Sequence, residues 1–181
     1  MSPITRTWLA FAAIGAALIH LALVIGSPLP LGVTLAGFGA AELGWGVLTL
    51  AKDHLVGANA ARIVAIVPIV LWSLLVVAAI LLDAAWLAEF LPLLPMAVAT
   101  IFELFAASVL SVHLRRRRGA DDGAPVREMP SAGRYLLALT AGGLLVGGLT
   151  TPALAATEAG LHAQPHGGHG SGVVVPDHVG H

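Results

Sequence analysis

The chain has 181 residues, 57% of them hydrophobic and 10% charged, with a formal net charge of −1. Soluble domains carry about 25% charged residues, so this composition excludes one and points to an integral membrane protein. Cysteine is absent, which excludes disulfides, thiolate metal sites and iron–sulfur clusters and leaves nitrogen and oxygen to hold any metal.

An α-helix rises 1.5 Å per residue, so about twenty apolar residues cross a hydrocarbon core of about 30 Å. Five stretches meet that length, at residues 8–26, 32–51, 62–82, 91–114 and 135–155. The expected fold class is an all-α integral membrane protein. A four-helix transmembrane unit (1–114) is followed by a cytoplasmic basic linker (115–134), a fifth transmembrane helix (135–155) and a non-regular histidine-rich tail (156–181). The turn "SPLPLG" separates the first two spans, since proline cannot continue a helix. Pro68 is expected to kink the third span, whereas Pro92 and Pro95 fall in the first turns of the fourth, where proline is tolerated. Small residues on the second span (Gly37, Ala40, Ala41, Gly44, Gly46) and on the fifth (Gly143, Gly147) allow close helix approach, and packing within the bundle is their expected use. The fifth span, "RYLLALTAGGLLVGGLTTPALAA", resembles a signal peptide with an Ala153-Leu154-Ala155 exit. At an internal position, retention rather than cleavage is the expectation.

Orientation follows from the basic residues. Arg6 precedes the first span, Lys52 and Arg62 flank the second connection, and Arg115 to Arg118, Arg127 and Arg134 lie between the fourth and fifth spans. The other two connections carry Asp83 and Glu89 and no basic residue. By the positive-inside rule the amino terminus is cytoplasmic and the carboxyl terminus extracytoplasmic. Eight arginines against one lysine, with abundant alanine, fit a GC-rich bacterial genome and hence a bacterial inner membrane.

Two groups of residues carry candidate chemistry. The tail holds His162, His166, His169, His178 and His181, separated by four, three, nine and three residues. Imidazole nitrogens suit Cu(II) and Zn(II), and the glycines of "PHGGHG" relieve backbone strain around a chelate ring. A solvated low-complexity tail, or histidines used for docking or pH sensing, would give the same composition.

The second group lies at membrane depth: His20 on the first span, Glu42 on the second and Glu103 on the fourth. Measured from the outer ends of their helices, these sit about 9, 15 and 18 Å deep, so the glutamates are nearly level and His20 is slightly above them. Ionisable groups at such depth need a reason. A divalent metal site, a proton relay and structural hydrogen bonding between helices all fit, and two adjacent carboxylates in apolar surroundings should share a proton or keep one of the pair neutral. Ala99, Thr100, Ala106 and Ala107 give Glu103 a small-residue approach face.

The remaining polar and aromatic residues read as ordinary. Haem is not expected, because His20 is the one histidine at depth, with His113 at a membrane edge. Trp8, Trp72, Trp86 and Tyr135 read as interface anchors or bundle packing, and His54 as a solvated loop residue. No nucleophile elbow, Walker loop, dinucleotide fingerprint or zinc-hydrolase histidine pair occurs, so an enzyme is not expected.

The function expected from these residues is metal handling, with copper the first candidate, by an accessory protein or subunit beside a larger membrane metalloenzyme. The alternative is a structural accessory subunit that stabilises a membrane oxidoreductase or respiratory complex, its tail docked on a partner. The expected partners are membrane lipid and other membrane subunits, with no nucleic acid.

Overall fold

The computed structural model describes residues 1–52, 54–83, 92–118 and 131–163. Within them the chain is helical: α1 (Pro3–Leu23), α2 (Leu29–Ala51), α3 (Ala58–Leu81), α4 (Leu93–Arg118), α5 (Ala132–Ala155) and a single turn, α6 (Glu158–Leu161). The first five are each long and apolar enough to cross a membrane.

Helix boundaries differ from the hydropathy limits for local reasons. Helix α1 starts at Pro3 because the Ser2 side chain accepts the Thr5 N–H at 3.1 Å and proline suits the first helical turn. The same property makes the second turn's prolines an entry: Pro28 precedes α2, and Pro30 lies in its first turn. Helix α3 continues through Pro68, which is buried. Helix α4 runs on through Arg115 to Arg118, where four cations at a carboxyl-terminal end complement the helix dipole. Most of the expected linker therefore falls either in α4 or in residues 119–130, outside the described residues.

Helix α1 is the centre of the bundle. It packs against α2, α4 and α5, while α3 lies mainly on α4. Its core face is built from small side chains, with Ala10, Ala12, Ala16 and Ala17 almost wholly buried. At one end the Trp8 indole N–H donates to the Ala138 carbonyl at 2.9 Å, and the Thr7 and Tyr135 hydroxyls lie 3.2 Å apart. These contacts use Trp8 and Tyr135 for bundle packing. They also bring Arg6 and Arg134 to the same end as Lys52, Arg62 and the α4 arginines, hereafter the basic end.

The opposite end carries the α1–α2 turn and the exit of α5. Residues 156–163 were expected to be non-regular, but Thr157 is buried and caps α6. Its hydroxyl donates to the Leu154 carbonyl at 2.7 Å and accepts the Gly160 N–H at 3.2 Å. Gly26 there has φ +85°, and a Cβ on it would come 3.0 Å from the Glu158 Cγ. The chain thus leaves the bundle beside the α1–α2 turn, at what we call the tail end.

The glycines that pack are not the ones the spacing singled out, apart from Gly46. A Cβ at Gly37, Gly44, Gly143 or Gly147 would meet nothing within 4 Å. At Gly39 it would fall 2.7 Å from Leu21 Cγ and 3.1 Å from the Ala17 carbonyl oxygen, and at Gly46 2.9 Å from Ile14 Cγ1 and 3.1 Å from the Ala10 carbonyl oxygen. On α5 the packed glycine is Gly142, against Trp8. Gly39→Val and Gly46→Val should each cost about 1–3 kcal/mol through overpacking. Gly37→Val and Gly44→Val should be tolerated. Thermal unfolding of the four variants in one detergent checks the contrast.

Candidate metal centre

Gly39, Glu42 and Gly46 are three and four residues apart, so they share one face of α2. The two glycines bring that face onto the α1 backbone, with Glu42 between them. Across the contact stands His20, one turn from the end of α1. Helix α4 supplies Glu103 from a face where Ala99, Ala106 and Ala107 are buried, the approach face expected from the sequence. Three helices thus deliver three polar side chains to one point.

All three are enclosed: His20 is 0% exposed, Glu103 2% and Glu42 5%. His20 Nδ1 is hydrogen-bonded to Glu42 Oε2 at 2.9 Å. Its other ring nitrogen, Nε2, lies 3.5 Å from Glu103 Oε1. Neither Nε2 nor that oxygen has a hydrogen-bond partner. The His20 ring meets both glutamates, and the Phe38 ring lies beside it at a centroid distance of 6.4 Å.

One donor atom from each of the three residues lies within 4.8 Å of the others, and among the described residues this is the one group of three or more such side chains so arranged. Zinc–nitrogen and zinc–oxygen bonds of about 2.0–2.2 Å place tetrahedral donors roughly 3.4 Å apart, so rotations within the side chains suffice to close on an ion. The charge also balances. Two carboxylates and a neutral imidazole neutralise one divalent cation, which removes the main cost of burying them.

A cavity of about 240 Å³ adjoins the carboxylates, lined by α1 to α4 and the end of the α2–α3 connection. Alanines make up much of its wall, and Trp45 stands in it with its indole N–H donated to the Val56 carbonyl at 2.8 Å. Sequence reading missed both the cavity and the part played by Gly39. The available signal was the pair of glycines three before and four after an intramembrane glutamate.

The expected tail site is not assembled within the described residues. His162 is exposed, its Nδ1–H donates to the Glu158 carbonyl at 2.9 Å, and a Glu158 carboxylate oxygen lies 3.6 Å away. His166, His169, His178 and His181 lie outside the described residues. His113 stands near the basic end beside Met1, Ser2 and Arg116, far along α4 from Glu103, and His54 is exposed. Comparisons with protein-family models, with curated proteins and with solved structures found no match, so the chemistry of this centre is argued from its own geometry.

Proposed function

We propose that the chain is a metal-handling membrane protein, an accessory factor or subunit beside a larger membrane metalloenzyme, and that His20, Glu42 and Glu103 bind a divalent cation inside its bundle. The observation that carries this reading is the pair of buried, unpartnered atoms, His20 Nε2 and Glu103 Oε1, facing each other at 3.5 Å. With Nδ1–H donated to Glu42, the Nε2 lone pair is free to ligate. A carboxylate on the far side of a metal-binding imidazole is the usual way of fixing its ring and raising its basicity. Glu103 supplies the anionic oxygen and Glu42 the second negative charge. Nitrogen and oxygen donors suit Zn(II) and Cu(II), with Cu(II) ahead in intrinsic affinity. In this reading the tail histidines collect Cu(II) or Zn(II) outside the inner membrane, at sites weak enough to release it.

The competing reading is a structural subunit of a membrane oxidoreductase or respiratory complex. Gly143 and Gly147 favour it, since they leave bare backbone on a face of α5 with nothing against it among the described residues. Lipid would cover that face equally well, so the geometry of the centre outweighs it.

Removing a ligand or its orienting carboxylate should weaken binding by about 10–100-fold. Glu103→Gln and Glu42→Gln should therefore each lower the zinc retained by the purified protein after dialysis, measured by mass spectrometry, while its helical content by circular dichroism stays unchanged. Zinc content equal to that of the unaltered chain in both variants would reduce the cluster to hydrogen bonding between helices.

The tail is tested separately. Replacing His162, His166 and His169 together by alanine should lower Cu(II) uptake without touching the buried equivalent. A truncation used for the same purpose should begin after residue 163, because Thr157 and α6 pack on the bundle. A stoichiometric membrane partner whose recovery, and the chain's own metal content, ignore every one of these changes would establish the structural subunit instead.

A further inference from the structure

The cavity beside the centre is asymmetric. Helices α1, α3 and α5 run from the basic end to the tail end, and α2 and α4 run back. On that frame, every residue lining the cavity is level with the His20–Glu42–Glu103 cluster or lies toward the basic end. Ala13 of α1 precedes His20, Trp45 of α2 follows Glu42, Ala61 and Ala65 open α3, Leu110 of α4 follows Glu103, and Val56 belongs to the α2–α3 connection. On the other side of the cluster the same helices close. Leu23, Leu35, Met96 and Ala99 are each no more than 5% exposed and belong to one packed core.

We infer that the buried centre exchanges its cation with one side of the membrane only, the side of the arginines, and is shut off from the side where the histidine tail leaves. The inference rests on the metal reading for the identity of the cation, a hydrated divalent ion, but the route itself is read from the packing. The cavity has space for several waters at about 30 Å³ each. Its apolar wall offers an ion no intermediate resting place, which leaves the carboxylates at its closed end as the binding point. No lysine or arginine lines it. The basic residues at the rim act through solvent, where charge is screened over about 8 Å at physiological ionic strength. Trp45, tied to the Val56 carbonyl, fixes the α2–α3 connection at the mouth.

The absence of cysteine makes a direct test possible, since any introduced thiol is unique. Ala106→Cys and Ala65→Cys place it in the cavity wall. Arg117→Cys marks the basic end, and Leu29→Cys, at a residue 80% exposed, marks the tail end. Each variant of the full chain, in sealed vesicles, is treated with a small membrane-impermeant cationic methanethiosulfonate from outside, and the two reporters show which end faces outward. From the Arg117 side, the cavity thiols should react at least about tenfold faster than from the Leu29 side, as a one-sided vestibule requires. Zinc added beforehand should slow them.

Equal rates from the two sides, faster reaction from the Leu29 side, or no reaction at either cavity position while both reporters label would each overturn the inference. One-sided labelling that zinc leaves unchanged would uphold the route and remove the metal. A filled cavity gives a second check: Ala65→Phe should slow zinc loading about tenfold with the same final content, and an unchanged loading rate would also overturn the route.

Discussion

The contact between α1 and α2 governs the rest of the molecule. Apolar side chains gain nothing by leaving lipid for one another, so helices associate in a bilayer through close packing and through polar groups that need partners. Gly39 and Gly46 provide the first and Glu42, between them, the second. Without the glycines the backbones would stand further apart by about the reach of a side chain, and Glu42 would be held off His20. An unpaired carboxylate at that depth costs about 2.5–3.5 kcal/mol even on the milder insertion scales. The helix contact and the polar centre therefore stabilise each other.

Much of the fold was legible in the sequence because lipid imposes simple rules. Length and hydropathy located five helices long enough to cross a membrane, and the basic residues that sequence assigned to one side share one end of the bundle among the described residues. Three polar residues at depth also stood out, since lipid makes such groups conspicuous, and they proved to meet. What was not legible was rotation about the helix axes. Spacing alone singled out Gly37, Gly44, Gly143 and Gly147 along with Gly46 and passed over Gly39 and Gly142, because on an apolar helix no polar face shows which side turns inward. Depth measured along separate helices placed His20 close enough to meet the glutamates, and its ring contacts both. At residues 156–163 the hydropathy falls and the sequence looks like a tail, yet a single threonine with two capping hydrogen bonds holds a turn of helix against the bundle.

The centre itself poses a choice between structure and chemistry. Pure hydrogen bonding between helices would be best served by partners whose donors and acceptors are all matched, since an unsatisfied buried polar atom costs about 1–3 kcal/mol. Here one half is matched, Nδ1 with Glu42, and the other is not: Nε2 and the Glu103 oxygen face each other at a distance too long for a good hydrogen bond. A cation at that point would satisfy both atoms and cancel the two carboxylate charges. Both carboxylates also line the cavity. Geometry and charge thus coincide on one pair of atoms, which a role confined to holding helices together does not require.

The direction of the cavity then constrains how the two histidine-bearing parts can work together. The tail leaves the bundle beside Gly26, whereas the cavity extends as far as Val56, and Leu23, Leu35, Met96 and Ala99 stand between that exit and the centre. If the proposed metal reading holds, an ion bound by the tail would meet this packed core before Glu103. Either that core would open in a second conformation, or the tail and the buried centre would serve different pools of metal. The first alternative would make the α1–α2 contact a pivot, since α1 contributes both to the closed core and to the cavity wall. The second needs no motion and fits side chains already at rest in a closed core. Under the proposed metal reading, it would let the buried centre exchange with the basic end alone, independently of the tail histidines.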